Sequence, residues 1–104
     1  MNVLFEGNEI EIIIIDNTGY FNPYDIGKAL NIGKSGIKMA VQRMNNNQVR
    51  LIKNSEVTDS DFRKLNNRGE NFLTESGVFK MIFRSQSDLR DKLENFIVDE
   101  VLPD

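Results

Sequence analysis

The chain has 104 residues, of which 39% are hydrophobic and 28% are charged, and its formal net charge is −3. It contains no Cys and no His, which excludes disulfides, thiol nucleophiles, Cys-based zinc sites and the usual catalytic base. The longest apolar run, Ile12–Ile15, is far too short to span a membrane. We therefore expect one domain over residues 1–104, which is not an enzyme, has no cofactor and no membrane partner, and works in the cytoplasm.

Basic residues are segregated along the chain. Between Ile26 and Ser55 there are six Lys or Arg residues and no Asp or Glu, whereas the remainder holds seven basic and sixteen acidic residues, so that +6 faces −9. This pattern is typical of a local anion site, but a solvated basic surface without a partner explains it equally well. We expect the six side chains to form one exposed patch, because neighbouring elements usually pack together. They are Lys28, Lys34, Lys38, Arg43, Arg50 and Lys53.

The N-terminal part reads as strands followed by two short helices. Alternation and turn residues predict strands at Asn2–Glu6, Glu9–Ile15 and Tyr20-Phe21. Asn22 can cap a helix, with Asp25 placed where a carboxylate meets free helix N–H groups, and Gly33 ends that helix. A second helix runs from about Ser35 to Met44, and its apolar stripe is Ile37, Ala40, Val41 and Met44.

The two helices have the spacing of a helix-turn-helix pair. Such a pair needs a small residue in the first helix, Gly in the turn and an apolar residue that locks the second helix against the first. Ala29, Gly33 and Met39 lie at suitable positions. The polar side of the second helix carries side chains suited to phosphate or base-edge contacts, namely Lys34, Lys38, Gln42 and Arg43.

The C-terminal part reads as two strands and two helices separated by a polar segment. Strands are predicted at Val49–Lys53 and Asn71–Leu73, and the segment Asn54–Glu70 between them could hold a short helix around Asp59–Leu65. Thr74 caps a helix over Glu75–Arg84, in which Gly77 indicates close packing, and Ser87 caps the last helix. The phenylalanines expected in the core are Phe72, Phe79, Phe83 and Phe96.

The last helix is a candidate for self-association. Its apolar stripe of Leu89, Leu93, Phe96, Ile97 and Val101, broadened by Val98 and Leu102, is wide for one helix on a small domain. A second copy, in a twofold homodimer through this helix, would cover the excess. The alternative is a monomer whose last helix lies in a groove between the sheet and the Glu75–Arg84 helix.

Nearly the whole chain resembles the Bro-N domain, the N-terminal module of phage antirepressors and of baculovirus Bro proteins. The resemblance rests on Phe21 with Asp25-Ile26-Gly27-Lys28-Ala29-Leu30, on the block from Phe72 to Ser85 that contains Glu75-Ser76-Gly77-Val78-Phe79, and on the closing Val101-Leu102-Pro103. The sequence departs from the family at Phe96-Ile97, where a Trp-Val pair is usual, and between Lys53 and Glu70.

The resemblance implies a small α+β fold with a mainly antiparallel sheet and helices packed on it, including the helix-turn-helix-like pair. It also implies the N-terminal part of a longer phage or prophage protein in a bacterial host cell. The expected function is an antirepressor-type domain that binds DNA through its basic helical segment. The alternative is a protein-interaction module that binds and inactivates a phage repressor without contacting DNA. The residues predicted to contact DNA are Lys28, Lys34, Lys38, Gln42, Arg43, Arg50 and Lys53.

Overall fold

The structure is a computed structural model that describes residues 1–85 and 90–101. It contains a five-stranded sheet and four α-helices in this part of the chain, which confirms the α+β prediction. The strands are β1 (Asn2–Phe5), β2 (Asn8–Ile15), β3 (Thr18–Phe21), β4 (Val49–Ile52) and β5 (Glu70–Leu73). The helices are α1 (Pro23–Ala29), α2 (Lys34–Gln42), α3 (Glu75–Arg84) and α4 (Arg90–Phe96), which continues as a π-helical turn over Ile97–Val101.

The sheet has the strand order β1-β2-β3-β5-β4, and every neighbouring pair is antiparallel. Two tight hairpins build its first half. Their turn residues, Glu6-Gly7 and Asp16-Asn17, all have positive φ angles, as a two-residue turn needs in order to match the twist of its strands. β5 then pairs with β3 through Phe21 and Leu73, and β4 forms the far edge.

The helices cover one face of the sheet, which we call the helix face. Side chains from β1, β2, β3 and β5 point into the same core as side chains from all four helices. Phe21 and Leu73, which are paired across the sheet, are fully buried there. The members contributed by the helices are Ile26, Ala29, Ile37, Ala40, Val78, Met81, Ile82 and Leu93.

The segment between β4 and β5 covers the opposite face, which we call the loop face. Ile13, Ile52 and Phe72 form a second, smaller core with Leu65 from this segment. The short helix expected around Asp59–Leu65 is absent, and the only helical turn in the segment spans Asn54–Glu56. Asp59 instead closes a turn, in which its carboxylate accepts the N–H of Asp61 at 3.0 Å. Asp and Asn favour such turns over a helix because their side chains compete for the backbone.

Local signals located the helix starts well. Asn22 Oδ1 accepts the N–H groups of Tyr24 and Asp25, and Thr74 Oγ1 accepts the N–H of Gly77. Asp25 differs from the prediction, because its carboxylate accepts the N–H of Glu11 on β2 at 2.9 Å. It therefore joins α1 to the sheet instead of capping α1.

The end of α1 also differs from the prediction. Asn31 has a φ of 59°, and the N–H groups of Asn31 and Ile32 donate to the carbonyls of Lys28 and Gly27. This arrangement closes a helix with a left-handed residue. Gly33 follows as the residue that precedes α2, so it does not terminate α1.

The last helix packs on the fold through Leu93 and Ile97, which are fully buried, and Phe96 contacts Phe5 at a ring distance of 5.3 Å. Val98 is 42% exposed, and the homodimer through this helix stays a prediction. Ser87, Leu89 and Leu102 lie outside the described residues. The expectation that Phe83 belongs to the core is wrong, since its side chain is 77% exposed.

Candidate nucleic-acid interface

The helices α1 and α2 pack against each other through a glycine. A Cβ atom at Gly27 would lie 2.3 Å from two side-chain carbons of Ile37, so the absence of a side chain lets Ile37 pack directly against α1. The helix-turn-helix prediction is therefore correct in part. Ala29 is buried in the core as predicted, whereas Met39 is 46% exposed and Ile37 takes the role assigned to Met39. Ile37 lies two residues before Met39, and that places it on the inward side of α2.

This packing leaves the polar sides of both helices exposed to solvent. Tyr24, Lys28 and Lys34 line a hollow at the start of α2, which we call the lysine hollow. A second hollow, which we call the amide hollow, lies between the helices and residues 66–71. Its polar lining includes Tyr24, Lys38, Gln42, Asn66 and Asn71. Tyr24 belongs to both hollows, so it connects them into one surface.

We define the helix-pair surface as the residues of α1 and α2 that line the two hollows, Tyr24, Lys28, Lys34, Lys38 and Gln42, together with Arg43, which follows Gln42. Arg43 is exposed at the C-terminal end of α2. The side chain of Lys53 is exposed after β4, next to Gly69, which itself lines the amide hollow. Lys53 therefore lies beside the Gly69 edge of the amide hollow, whose lining also includes Lys38.

The cations of this surface lack a carboxylate partner at ion-pair distance, although Lys28 acts on Asp25 and Lys53 acts on Glu56 at longer range. In the part of the chain that the structure describes, Lys28, Lys34, Lys38, Arg43 and Lys53 form no ion pair. A cation without a carboxylate partner can bind an external anion without first breaking an existing pair. The surface can therefore hold phosphate groups, which Lys and Arg neutralise in protein–DNA complexes.

Glu70 also lines the amide hollow, and Arg63 partly compensates its charge. Arg63 donates to both of its carboxylate oxygens, at 2.9 and 2.7 Å, and the N–H of Asn66 donates to one of them. The guanidinium of Arg63 holds the pKa of Glu70 below its ordinary value. Glu70 consequently repels an anion less than an unpaired carboxylate would, although Arg63 is shared with Glu11.

Arg50 does not join the patch, and this corrects the prediction of one surface for all six cations. Arg50 is paired across the sheet with Phe72, which belongs to the core of the loop face, and paired residues point to the same face. Its guanidinium donates to the Tyr20 hydroxyl at 2.8 Å and to Glu56. The hydrogen bond to Tyr20 raises the pKa of Arg50, with a smaller contribution from Glu56.

Sequence reasoning missed Tyr24, Asn66 and Asn71. Tyr24 had a local signal, because it precedes Lys28 by four residues on α1 and such pairs are neighbours on a helix. Asn66 and Asn71 had none, since only the return of the chain from the loop face into β5 brings them beside α2.

Two other classes of site are absent from the described ranges, 1–85 and 90–101. These ranges contain no group of three or more side chains that could hold a metal ion. Every helix in them is too short or too polar to cross a membrane.

Comparison with known proteins places this arrangement in a family. The family model described as BRO family, N-terminal domain, matches residues 9–103. That span includes both helices of the helix-pair surface, and it confirms the resemblance drawn from the sequence. Searches of curated proteins and of solved structures returned no match.

Proposed function

Because this chain matches the N-terminal domain of the BRO family and therefore belongs to that family, we propose that it is an antirepressor-type regulatory domain that binds DNA through the helix-pair surface. The family itself indicates a phage or viral Bro-type regulatory domain. The proposed role is binding and not catalysis. DNA binding brings the protein to a regulatory site, and the presence of the protein at that site changes the activity of nearby components.

One observation carries the proposal: the exposed cations of α1 and α2 form no ion pair in the described structure, whereas Arg50 and Arg63 are ion-paired. The chain as a whole is acidic, with a net charge of −3. An acidic protein is repelled by DNA at long range, so binding requires a local surface of opposite sign. The helix-pair surface supplies it.

Binding of this kind has a defined dependence on salt. Each phosphate neutralised on duplex DNA contributes a slope of about −0.9 to the plot of log affinity against log salt. We expect a shallow total slope, because the surface offers few cations. A slope near zero would show that the basic segment is not the binding element.

The test compares two sets of variants in a salt-titrated DNA-binding assay. The double variant Lys38→Ala, Arg43→Ala should weaken binding and flatten the salt slope by up to ~1.8, or ~0.9 for each phosphate that is no longer neutralised. Its melting temperature should stay nearly unchanged, since both side chains are exposed.

The matched control is Arg50→Ala. It removes one cation of the same basic segment, but from the loop face, so it should lower stability by removing the bonds to Tyr20 and Glu56 and leave DNA affinity unaltered. If Arg50→Ala weakens DNA binding as much as the double variant does, the helix-pair surface is the wrong site.

A second candidate function is capture of a repressor protein, and the exposure of Phe83 favours it. Phe83 projects from α3 beside a hollow lined by Gln48, Ser76, Phe79 and Lys80. An exposed aromatic side chain beside an apolar hollow is a common anchor in protein interfaces. This surface lies on α3, whereas the helix-pair surface lies on α1 and α2, so the two candidates can be tested separately.

For repressor capture we expect a stoichiometric complex that forms without DNA and is lost on Phe83→Ser. Size-exclusion chromatography of the chain with the repressor of the same genome would show it. The double variant Lys38→Ala, Arg43→Ala should leave that complex intact. Loss of the complex in the double variant and its retention in Phe83→Ser would assign the contact to the helix-pair surface instead.

A further inference from the structure

The amide hollow has a composition that the charge argument alone does not explain. Gln42, Asn66 and Asn71 line it with Tyr24 and Lys38, and Gln42 and Asn71 are exposed. The side chains of these three amides form no hydrogen bond within the described structure. The fourth amide of the hollow, Asn22, differs because its side chain donates to Glu11 and accepts from the N–H groups of Tyr24 and Asp25. The other three amides of the hollow are thus available to a ligand.

A side-chain amide carries both a donor and an acceptor, and its geometry matches one base in particular. Asn and Gln can bond the N6 and N7 atoms of adenine simultaneously, whereas Lys and Arg favour guanine or phosphate. The carboxylate of the hollow, Glu70, would accept from cytosine if it were free, but Arg63 occupies both of its oxygens. The hollow therefore presents the hydrogen-bonding pattern that suits adenine, while its carboxylate is already engaged by the protein.

From this geometry we propose that the amide hollow reads base edges, that Gln42 and Asn71 select adenine, and that Lys38 with the lysine hollow holds the adjacent phosphates. The inference rests on the proposed DNA binding and assigns the base contacts and the phosphate contacts to different residues. Tyr24, 43% exposed between the two hollows, packs against the nucleotide that joins the base contacts to the phosphate contacts.

The experiment uses two duplexes of equal length, one of alternating A·T pairs and one of alternating G·C pairs, and measures affinity by fluorescence anisotropy at several salt concentrations. The unaltered chain should prefer the A·T duplex. One bidentate contact discriminates between bases by a free energy that corresponds to about 5-fold to 150-fold in affinity. An A·T preference of at least about fivefold is therefore expected.

Three variants separate base contacts from phosphate contacts. Gln42→Ala and Asn71→Ala should each reduce the A·T preference several-fold without changing the salt slope. Lys38→Ala should weaken binding to both duplexes and flatten the slope while keeping the preference. Asn95→Ala is the matched control, an exposed amide on α4 outside both hollows, and it should change neither quantity.

The possible failures are distinguishable. If the chain binds both duplexes with a clear salt slope but without preference, or if the two amide variants keep the preference, the base-reading inference is overturned and the proposed function stands. If it binds neither duplex in a salt-dependent manner, the proposed function is overturned and the inference with it.

Discussion

The two faces of the sheet are stabilised in different ways. On the helix face, four helices bury a continuous apolar core against the strands. On the loop face, an irregular segment between β4 and β5 contributes Leu65 to a small core and is fastened by an ion-pair bridge. Arg63 makes this bridge, because its guanidinium bonds to Glu11 on β2 and to Glu70 on β5. One covering layer is held by the packing of helices, and the other combines a smaller apolar core with an ion-pair bridge.

The difference explains which cations are available for binding. The arginines of the loop face, Arg50 and Arg63, have carboxylate partners and serve the structure. Of the helices that cover the opposite face, α4 pairs its Lys92 with Glu6, whereas the lysines of α1 and α2 form no ion pair in the described residues. Arg50 shows that a cation of the basic stretch can be taken up by contacts within the fold and so be unavailable to a ligand.

The sharpest test of the comparison removes one buried phenylalanine from each face. Phe21 and Phe72 are both almost fully buried, the first under the helices and the second under the loop segment. Replacement of a buried Phe by Ala costs about 3–5 kcal/mol, depending on how far the surroundings collapse. We expect Phe21→Ala at the upper end of that range and Phe72→Ala at the lower end, because the irregular segment can relax into the cavity. Urea unfolding measures both, and equal or reversed costs would contradict the comparison.

Close packing on the helix face predicts a large effect at Gly77. A Cβ atom there would lie 2.0 Å from the carbonyl oxygen of Gln48, and a backbone atom cannot move aside as a side chain can. We expect Gly77→Ala to lower the free energy of unfolding by at least about 2 kcal/mol. Ser76→Ala, an exposed change one residue earlier in α3, is the control and should be close to neutral. A gain in stability from Gly77→Ala would contradict the tight approach of α3 to the chain before β4.

The ion-pair bridge of the loop face predicts a moderate effect. Arg63→Met keeps the apolar stem but leaves Glu11 and Glu70 without their partner. Charge-assisted hydrogen bonds of this kind contribute about 1–2 kcal/mol after allowance for screening by water, and the Arg63 side chain is 42% exposed. Lys92→Met is the control, because Lys92 lies 3.7 Å from Glu6 on an exposed surface, and it should cost less than ~0.5 kcal/mol. Equal costs would show that the bridge does not hold the segment.

The same bridge predicts a dependence on pH. Arg63 lowers the pKa of Glu70, so the folded state binds a proton at this group less readily than the unfolded state does. The stabilisation is therefore complete above the unfolded pKa of about 4.3 and is lost as pH falls through the lower folded value. Urea titrations between neutral and acidic pH should show a smaller acid loss for Arg63→Met than for the unaltered chain. Parallel curves for the two proteins would contradict this assignment.

Asp25 on the helix face predicts the smallest effect, and its contribution to stability changes with pH in the opposite direction to that of Glu70. Burial raises the pKa of Asp25, although the N–H of Glu11 partly offsets this by donating to the carboxylate. A raised pKa removes stability as pH rises from the unfolded value of about 3.9 through the folded value. Asp25→Asn keeps an acceptor for Glu11, and its stability relative to the unaltered chain should improve from acidic to neutral pH. A relative stability that declines over that range would show that the N–H of Glu11 outweighs burial.

Much of the fold could be read from the sequence, because its signals are local. The caps at Asn22 and Thr74, the turn at Asp16-Asn17 and the stripe of α2 depend on residues within a few positions of each other. Backbone hydrogen bonds and helix periodicity act over that same short range. The strands, the helices and the basic segment could therefore be predicted, and so could the family, from short blocks such as Glu75-Ser76-Gly77.

What the sequence alone left undecided depends on contacts between distant residues. Arg63 meets Glu11 across 52 positions and Arg50 meets Tyr20 across 30, and neither pairing has a local signal. The same is true of the segment that covers the loop face and of the approach of Asn66 and Asn71 to α2. Composition determined that this acidic chain carries an isolated group of cations. Only the tertiary structure decided which of them are neutralised, because an ion pair forms wherever the folded backbone brings opposite charges together, whatever their separation along the chain.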